Sequence, residues 1–223
     1  MFKKLLLHLF LIFLAISLLV LSISLTTAQN TTDTLINDRE FSDVDNQDVE
    51  ILYLTKFGII QGYPDKTVKS EKIVNRAEVV TLFARLLELD AAYDPDCTFS
   101  DIDPDIWHAG YVSAMCNAGL IDGYSDGTFK GDNQINRAEA IKILLLGLDL
   151  DLSTDFLYLA SDVYPPDWYA PYADYASKRN ISPIIDTKFN GEKLYTRADL
   201  FTNLYRIKRI LELDEEIYYE KMD

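Results

Sequence analysis

The sequence repeats one four-residue phrase three times, as Asn75-Arg76-Ala77-Glu78, Asn136-Arg137-Ala138-Glu139 and Thr196-Arg197-Ala198-Asp199. This phrase decides the fold, because its arginines lie 61 and 60 residues apart and therefore mark a repeating unit. A unit of that size does not easily bury an apolar face alone and depends on its neighbours. We therefore expect one domain of three units, with any functional site recurring in the units or lying between them.

Two further phrases recur in the same order before each arginine. A Phe-Ser-Asp phrase begins at Phe41 and Phe99, with a weaker form at Ala160. A glycine-tyrosine phrase occupies residues 58–65 and 119–126. The unit boundaries that follow are 41–98, 99–159 and 160–213.

The second unit predicts a helix, a loop and a second helix. Residues 107–118 carry apolar side chains at helical spacing, and Gly119 is a favourable helix end. The glycine-rich stretch 123–129 predicts a tight turn. Asn136 then caps the second helix, and Glu139 completes a capping box.

The second helices share one apolar register. The equivalent positions are Val80, Ile141 and Phe201, followed three residues later by Phe83, Leu144 and Leu204. This spacing places them on one stripe, so we expect the three helices to pack together at the centre of a mainly α domain. The aspartates of residues 101–105 are expected to cap the first helix of the second unit.

The N-terminus predicts export. Lys3 and Lys4 precede the apolar residues 5–25, and small residues follow, so residues 1–28 are interpreted as a signal peptide, with an uncleaved membrane anchor as the alternative. The polar residues 29–40 predict a flexible spacer, and residues 214–223 an acidic C-terminal tail.

The charge and the composition exclude several functions. The formal net charge is −15, and it becomes −17 when Lys3 and Lys4 leave with the leader. So acidic a chain repels nucleic acid. His108 is the one histidine that remains after the leader, and no nucleophile has an evident base partner. We therefore expect neither an enzyme nor a cofactor.

The two cysteines are Cys97, just before the second unit, and Cys116, inside it. In an exported chain, a disulfide is the favoured interpretation. Two free buried thiols remain an alternative. A metal site is disfavoured, because zinc needs more nitrogen or sulfur ligands than the chain offers.

Acidic turns are frequent in this chain, and carboxylate oxygens are the ligands that calcium prefers. An EF-hand loop beginning at Asp122 would place Tyr124 and Asn133 where it needs oxygen ligands, so this pattern fails. A different calcium site at the turns 43–45 or 101–105 stays open. We expect no metal.

The ordered phrases of residues 41–210 resemble the S-layer homology domain, a family whose repeats usually occur in threes. The resemblance implies a pseudo-trimer with a central helical bundle and with grooves between adjacent repeats. It also implies non-covalent anchoring of an exported protein to anionic, often pyruvylated, polysaccharide at the cell surface or cell wall of a prokaryote.

The resemblance implies that the arginine of each phrase contacts the anionic group. The residue chemistry agrees, because a helix N-terminus offers free N–H groups and arginine offers a fork that matches a carboxylate. The candidate glycan-binding residues are Arg76, Arg137, Arg197, Gly123, Asp126, Gly127, Thr128, Trp107 and Tyr124. We expect the best groove to combine Arg137 with residues 123–129, or with the equivalent loop of a neighbouring unit.

A protein–protein assembly role without glycan binding is the alternative. The third unit has lost both loop glycines, so its loop is expected to be structural, and its first half is rich in aromatic residues. These are Phe156, Tyr158, Tyr164, Trp168, Tyr169, Tyr172 and Tyr175. Any that are exposed would suit a protein partner at the cell surface.

Overall fold

The computed structural model describes residues 41–45, 47–148, 150, 152 and 160–213. The leader (1–28), the spacer (29–40) and the tail (214–223) lie outside the described residues, as do Phe156 and Tyr158. None of the described helices combines the length and the apolar character needed to cross a membrane.

Each repeat contributes a short first helix and a buried second helix. The helices are α1 (Val49–Lys56), α2 (Arg76–Leu86), α3 (Ala109–Asn117), α4 (Arg137–Leu146), α5 (Ala170–Lys178) and α6 (Arg197–Leu213). The parts of the chain that the structure describes contain isolated bridges but no named strand. The prediction of a mainly α fold is confirmed.

A capping box begins each of α2, α4 and α6, and the box predicted at α4 is confirmed. In α4, the side chain of Asn136 accepts a hydrogen bond from the Glu139 N–H (2.9 Å), and the Glu139 carboxylate accepts one from the Asn136 N–H (2.9 Å). Asn75 with Glu78 forms the same reciprocal pair. Thr196 and Asp199 form it at α6. Each box satisfies two N–H groups at the helix start.

A closed triangle of main-chain hydrogen bonds joins the three repeats just before these caps. The Val74 N–H donates to the Tyr195 carbonyl (2.9 Å), and the Tyr195 N–H donates to the Ile135 carbonyl (3.1 Å). The Ile135 N–H returns to the Val74 carbonyl at 3.4 Å. Because these residues hold equivalent places in their repeats, the triangle sets the three second helices around one centre.

The first helix of each repeat packs against the second helix of another repeat. The pairs are α3 on α2, α5 on α4 and α1 on α6, and α2 also contacts α4 and α6. All six core positions predicted from the register are at most 1% exposed. The prediction that the second helices pack together is therefore confirmed.

The aspartates that were expected to cap the first helix of the second repeat have another role, so that prediction is wrong. His108 occupies the cap position of α3 and makes no side-chain cap. Asp101 instead accepts hydrogen bonds from the Phe129 N–H (2.7 Å) and the Lys130 N–H (2.8 Å) at the far end of the loop. Asp103 accepts only a local bond from the Asp105 N–H.

Equivalent aspartates make the same clamp in the other repeats. Asp43 accepts from the Val68 and Lys69 N–H groups, and Asp162 accepts from the Phe189 and Asn190 N–H groups. The second donor of each clamp, Lys69, Lys130 or Asn190, has a positive φ of 53–57°. This region is unfavourable for L-residues, so the two carboxylate bonds offset its cost.

The disulfide joins Cys97 to Cys116, with 5.8 Å between their Cα atoms. It ties the segment before the second repeat to the last turn of α3. The same segment approaches the start of α3 closely, because a Cβ on Gly110 would lie 2.6 Å from the Ala91 carbonyl oxygen. Free thiols and a metal site at these cysteines are thereby excluded.

We predict that Asp101→Ala lowers the free energy of unfolding by about 2 kcal/mol, because two main-chain donors lose a charged acceptor. Urea unfolding followed by circular dichroism measures this. Asp103→Ala is the matched control and should cost less than about 0.5 kcal/mol, since Asp103 is exposed and holds only its own turn. Equal losses for the two variants would contradict the clamp.

We predict that reducing the disulfide lowers the free energy of unfolding by about 3 kcal/mol, because the 19-residue separation closes a loop in the unfolded chain. The triangle of the three repeats lies elsewhere, so helical circular dichroism should persist. Denaturation with and without a reducing agent tests this, with a Cys97→Ala, Cys116→Ala double variant as the reagent-free comparison. Unchanged stability in both tests would count against it.

Candidate functional site

The arginine one residue inside each second helix reaches into the loop of another repeat. Arg76 of the first repeat donates to the Asp122 carbonyl of the second (2.7 Å). Arg137 donates to the Pro183 carbonyl of the third repeat (2.8 Å), and Arg197 donates to the Val68 carbonyl of the first (2.6 Å). Each arginine thus donates a hydrogen bond to the loop of the following repeat, and the arginine of the third repeat donates to the loop of the first.

The sequence left two partners open for Arg137, residues 123–129 or the equivalent loop of a neighbouring unit, and the structure shows the second. Arg137 does not meet residues 123–129 of its own repeat; it lies against the loop of the third repeat, which has lost its glycines. The glycine-rich loop instead receives Arg76. The reason is the triangle, which places the start of each second helix beside the neighbouring loop and away from its own.

The groove beside Arg76 has a volume of about 290 Å³. We call it the Arg76 groove, and its lining residues are Arg76, Leu120, Ile121, Asp122, Gly123, Tyr124, Glu139, Lys142, Ile143, Leu146 and Trp168. All three repeats contribute: the first supplies the arginine, the second the loop and α4, and the third Trp168. The predicted residues Gly123 and Tyr124 therefore lie in the same groove as Arg76.

The guanidinium of Arg76 is held by one hydrogen bond and by aromatic faces. It lies 5.4 Å from the ring centre of Tyr124 and 5.0 Å from that of Phe129. Its Nε is buried and has no hydrogen-bond partner among the described residues. Burial lowers the pKa of Arg76, while Tyr124, Glu139 and Asp122 act in the opposite direction. An arginine stays charged under these conditions, so the groove holds a fixed cation.

The loop keeps its shape through bonds that also explain its glycines. The Tyr124 N–H donates to the Thr128 carbonyl (2.7 Å), and Gly127 has a φ of 79°. A Cβ on Gly123 would lie 2.5 Å from the Phe99 ring, so only glycine fits there. The Asp126 carboxylate accepts from the Thr128 N–H (3.1 Å).

Asp126 also accepts a bond from the Thr128 hydroxyl and pairs with Lys130 (2.9 Å). These contacts lower the pKa of Asp126 to about 2. Asp126, Gly127 and Thr128 are therefore occupied in shaping the loop, and they are not among the residues that line the Arg76 groove.

The other two arginines are already satisfied by the protein. Arg197 is 5% exposed and pairs with Glu78 at 3.3 Å. Glu78 also accepts bonds from Lys72 (2.9 Å) and the Tyr63 hydroxyl (2.8 Å). We call these four side chains the Arg197 network. Arg137 is 7% exposed, and its Nε donates to the Ser182 hydroxyl (3.1 Å).

One substitution between repeats accounts for part of this difference. Asn133 stands in the second repeat where Lys72 stands in the first, so no ammonium group draws Glu139 into a network. Within the described residues, Arg76 forms no ion pair with a carboxylate at 4.0 Å or less. The Arg76 groove therefore stays open where the equivalent position in the first repeat is closed.

The helix N-termini do not provide the anion site that was expected from them. The N–H groups of Arg76 and Ala77 donate to the carbonyls of Asn133 and Gly131, both at 2.9 Å. The third N–H is taken by the cap of Asn75. Equivalent bonds satisfy the starts of α4 and α6. The guanidinium side chain is the part of this region that keeps a free donor.

Sequence reasoning missed Trp168, Lys142 and Glu139 as groove residues. It chose Trp107, which is 57% exposed and lies against His108, away from the Arg76 groove. The repeat register could have found Trp168, because it is the equivalent of Trp107 in the third repeat. The sequence did not reveal that the segment just before the first helix of one repeat lines the groove of the preceding repeat.

The acidic turns show no arrangement suited to calcium among the described residues. Both oxygens of Asp43 and of Asp101 accept main-chain N–H groups, and no three acidic, histidine or cysteine side chains there converge as metal ligands would.

Comparison with known proteins identifies the class. Residues 40–80 and 98–141 match the S-layer homology domain. The match covers 85 of the 223 residues (41 and 44 in the two segments). The third repeat, which lies outside them, has the same clamp, cap and helix pair.

The relatives are large surface proteins. The chain is 31% identical to the Surface-layer 125 kDa protein of Lysinibacillus sphaericus over 139 residues, which is 62% of this chain and 12% of that protein. It is 29% identical to the Middle cell wall protein of Brevibacillus brevis over 74% of this chain and 15% of that protein. It is 37% identical to the Cellulosome-anchoring protein of Acetivibrio thermocellus over 36% of this chain and 19% of that protein. The matched region is thus less than a fifth of each of these relatives.

We predict that the Arg197 network makes stability depend on acid pH. Burial alone would raise the pKa of Glu78, but bonds from Lys72, the Asn75 N–H and Tyr63 lower it below its ordinary value of 4.5. A carboxyl group with a lowered folded pKa stabilises the fold above its unfolded pKa, and this is lost as the pH falls through the folded value. The free energy of unfolding should therefore fall below about pH 4.5, and less steeply in Glu78→Gln.

The matched control is Glu139→Gln, which removes the equivalent carboxylate where the described residues offer it no lysine or tyrosine hydrogen bond. Urea titrations from about pH 2.5 to about pH 7, which span the range over which carboxyl groups titrate, compare the three proteins. The prediction fails if the curve of Glu78→Gln runs parallel to the wild-type curve.

Proposed function

We propose that this chain anchors an exported protein to the cell envelope without a covalent bond, by holding an anionic wall polysaccharide in the Arg76 groove. The observation that carries this proposal is the state of Arg76. In a chain of net charge −15, this guanidinium lines a groove, has no ion-pair partner among the described residues, and keeps one buried donor without a partner.

The chemistry of the groove suits an acidic sugar. A guanidinium binds a carboxylate through two parallel hydrogen bonds, which a small anionic substituent such as a pyruvate ketal would accept. Tyr124 and Trp168 are 40% and 51% exposed and offer flat faces to sugar rings. Gly123 lets a ligand approach the main chain closely. The carboxylates of Glu139 and Asp122 can accept hydrogen bonds from sugar hydroxyl groups.

The overall charge makes this contact short-ranged. An acidic protein repels an anionic polymer at distances beyond the screening length, which is about 8 Å at physiological salt. Affinity must therefore come from groups that the ligand touches inside the groove. Arg197 is paired within its network, and Arg137 is hydrogen-bonded to the third loop. These two arginines are therefore occupied, which favours one binding groove per chain.

The relatives agree with a surface role, since their names describe surface-layer, cell-wall and anchoring proteins. Assembly with other surface proteins remains the second candidate. Its supporting observation is the exposure of Tyr164 (61%) and Ile185 (56%) in the third repeat, outside the Arg76 groove.

We predict that Arg76→Ala weakens binding to purified cell-wall sacculi by about ten- to a hundredfold, because a charge-assisted contact contributes about 1.5–3 kcal/mol. Arg76→Lys should recover only part of the affinity, since an ammonium group cannot form the two-pronged contact. Sedimentation isotherms with sacculi of the producing organism measure this, with circular dichroism to establish folding.

Arg179→Ala is the matched control, because Arg179 stacks on Tyr175 away from the groove. It should bind sacculi like the wild type. Chemical removal of the wall polysaccharide should abolish sedimentation. Retained binding to stripped sacculi would favour the protein–protein alternative, and wild-type affinity in folded Arg76→Ala would refute the groove.

A further inference from the structure

We infer that the Arg76 groove contains a second anion subsite, formed by Lys142 on the face of Trp168, which takes the acidic group of the next sugar residue. This inference rests on the proposed function and deepens it, because it makes the ligand a polymer with closely spaced negative charges. The acidic group is a carboxylate or a phosphate ester, since an ammonium group binds both.

The first argument is the pairing of the cations. Six other lysines in the described residues hold carboxylates at 2.7–3.8 Å, as Lys178 does with Asp174, whereas Lys56 and Lys188, which form no such pair, are exposed to solvent. Lys142 forms no ion pair at 4.0 Å or less within the described residues, and its Nζ lies 5.6 Å from the ring centre of Trp168. A half-buried lysine that forms no ion pair with a described carboxylate, in a strongly acidic chain, is suited to an external anion.

The second argument is the distance along α4. Lys142 follows Glu139 by three residues, which places it about 4.5 Å further along the helix axis and on the same face. Glu139 is close enough to Arg76 to act on its pKa. Lys142 therefore lies about one helical turn beyond the carboxylate that acts on Arg76, and both cations line the same groove.

The third argument is that Trp168 comes from a different repeat than Lys142. The third repeat has lost its own glycine loop, and its arginine closes the Arg197 network. Its tryptophan nevertheless stands 51% exposed at the edge of the Arg76 groove. A ring that carries the ammonium group on one face keeps Lys142 directed along the groove, and the rest of the ring can support a second sugar. The third repeat thereby determines the length of ligand that the second repeat accepts.

The test uses acidic oligosaccharides released from the wall polymer of the producing organism and sorted into fragments with one and with two acidic groups. Isothermal titration calorimetry on the whole chain should show that the second acidic group strengthens binding at least tenfold for the wild type. For Lys142→Met, which keeps the apolar stem, this gain should disappear, while fragments with one acidic group bind as before. Lys142→Arg should restore the gain.

Lys56→Met is the control for the loss of one positive charge, because Lys56 is exposed on α1 outside the groove. It should keep the tenfold gain. Trp168→Ala should reduce the gain, because the ring no longer supports the ammonium group of Lys142. A gain that persists in Lys142→Met overturns the second subsite.

The outcomes distinguish a failure of the second anion subsite from a failure of the proposed function. If Arg76→Ala loses binding of both fragments while Lys142→Met is unchanged, the second subsite is wrong and the proposed function stands. If neither variant matters, both are wrong. Mild acid removes ketal-linked carboxylates and phosphatase removes terminal phosphates, so the treatment that erases the tenfold gain identifies the second anionic group.

Discussion

The closed triangle of main-chain hydrogen bonds among Val74, Ile135 and Tyr195 is the constraint on which the rest of the structure depends. It is made by backbone groups, so it tolerates variation in side chains as long as the residues stay extended. Directly beyond it, the capping boxes start the three second helices. Their first N–H groups then donate to carbonyls of the adjacent repeat, so the triangle continues outward as paired loops and helix starts.

The arginine of each repeat contacts the loop of the next repeat. A groove is therefore formed by residues of more than one repeat. The loop with the intact glycines belongs to the second repeat, its cation to the first and its tryptophan to the third. Divergence of one loop therefore changes the environment of another repeat's arginine. The buried and satisfied state of Arg137 is the result, since the third loop offers it Ser182 and Pro183 in place of an open groove.

The parts of this structure that obey a local rule could be predicted from the sequence. The capping boxes, the helix end at Gly119 and the core register of Val80, Ile141 and Phe201 all depend on residues within one repeat. The site depends on which loop faces which helix, and nothing in the spacing of the phrases states whether Arg137 meets loop 123–129 or the next one. The role of Asp101 was missed for the same reason, because its partners are 28 and 29 residues away.

The exchange between repeats is cyclic, and this has a topological consequence. The main-chain bonds and the arginine contacts between the third and first repeats are equivalent to those between consecutive ones. In these contacts the order of the repeats is fixed only by chain connectivity. The same ring is therefore compatible with a circularly permuted order of the repeats, or with repeats supplied by separate chains. Two repeats alone cannot close it, because one edge of the triangle and one borrowed arginine are then lost. Three is thus the smallest number of repeats that satisfies every main-chain donor at the centre.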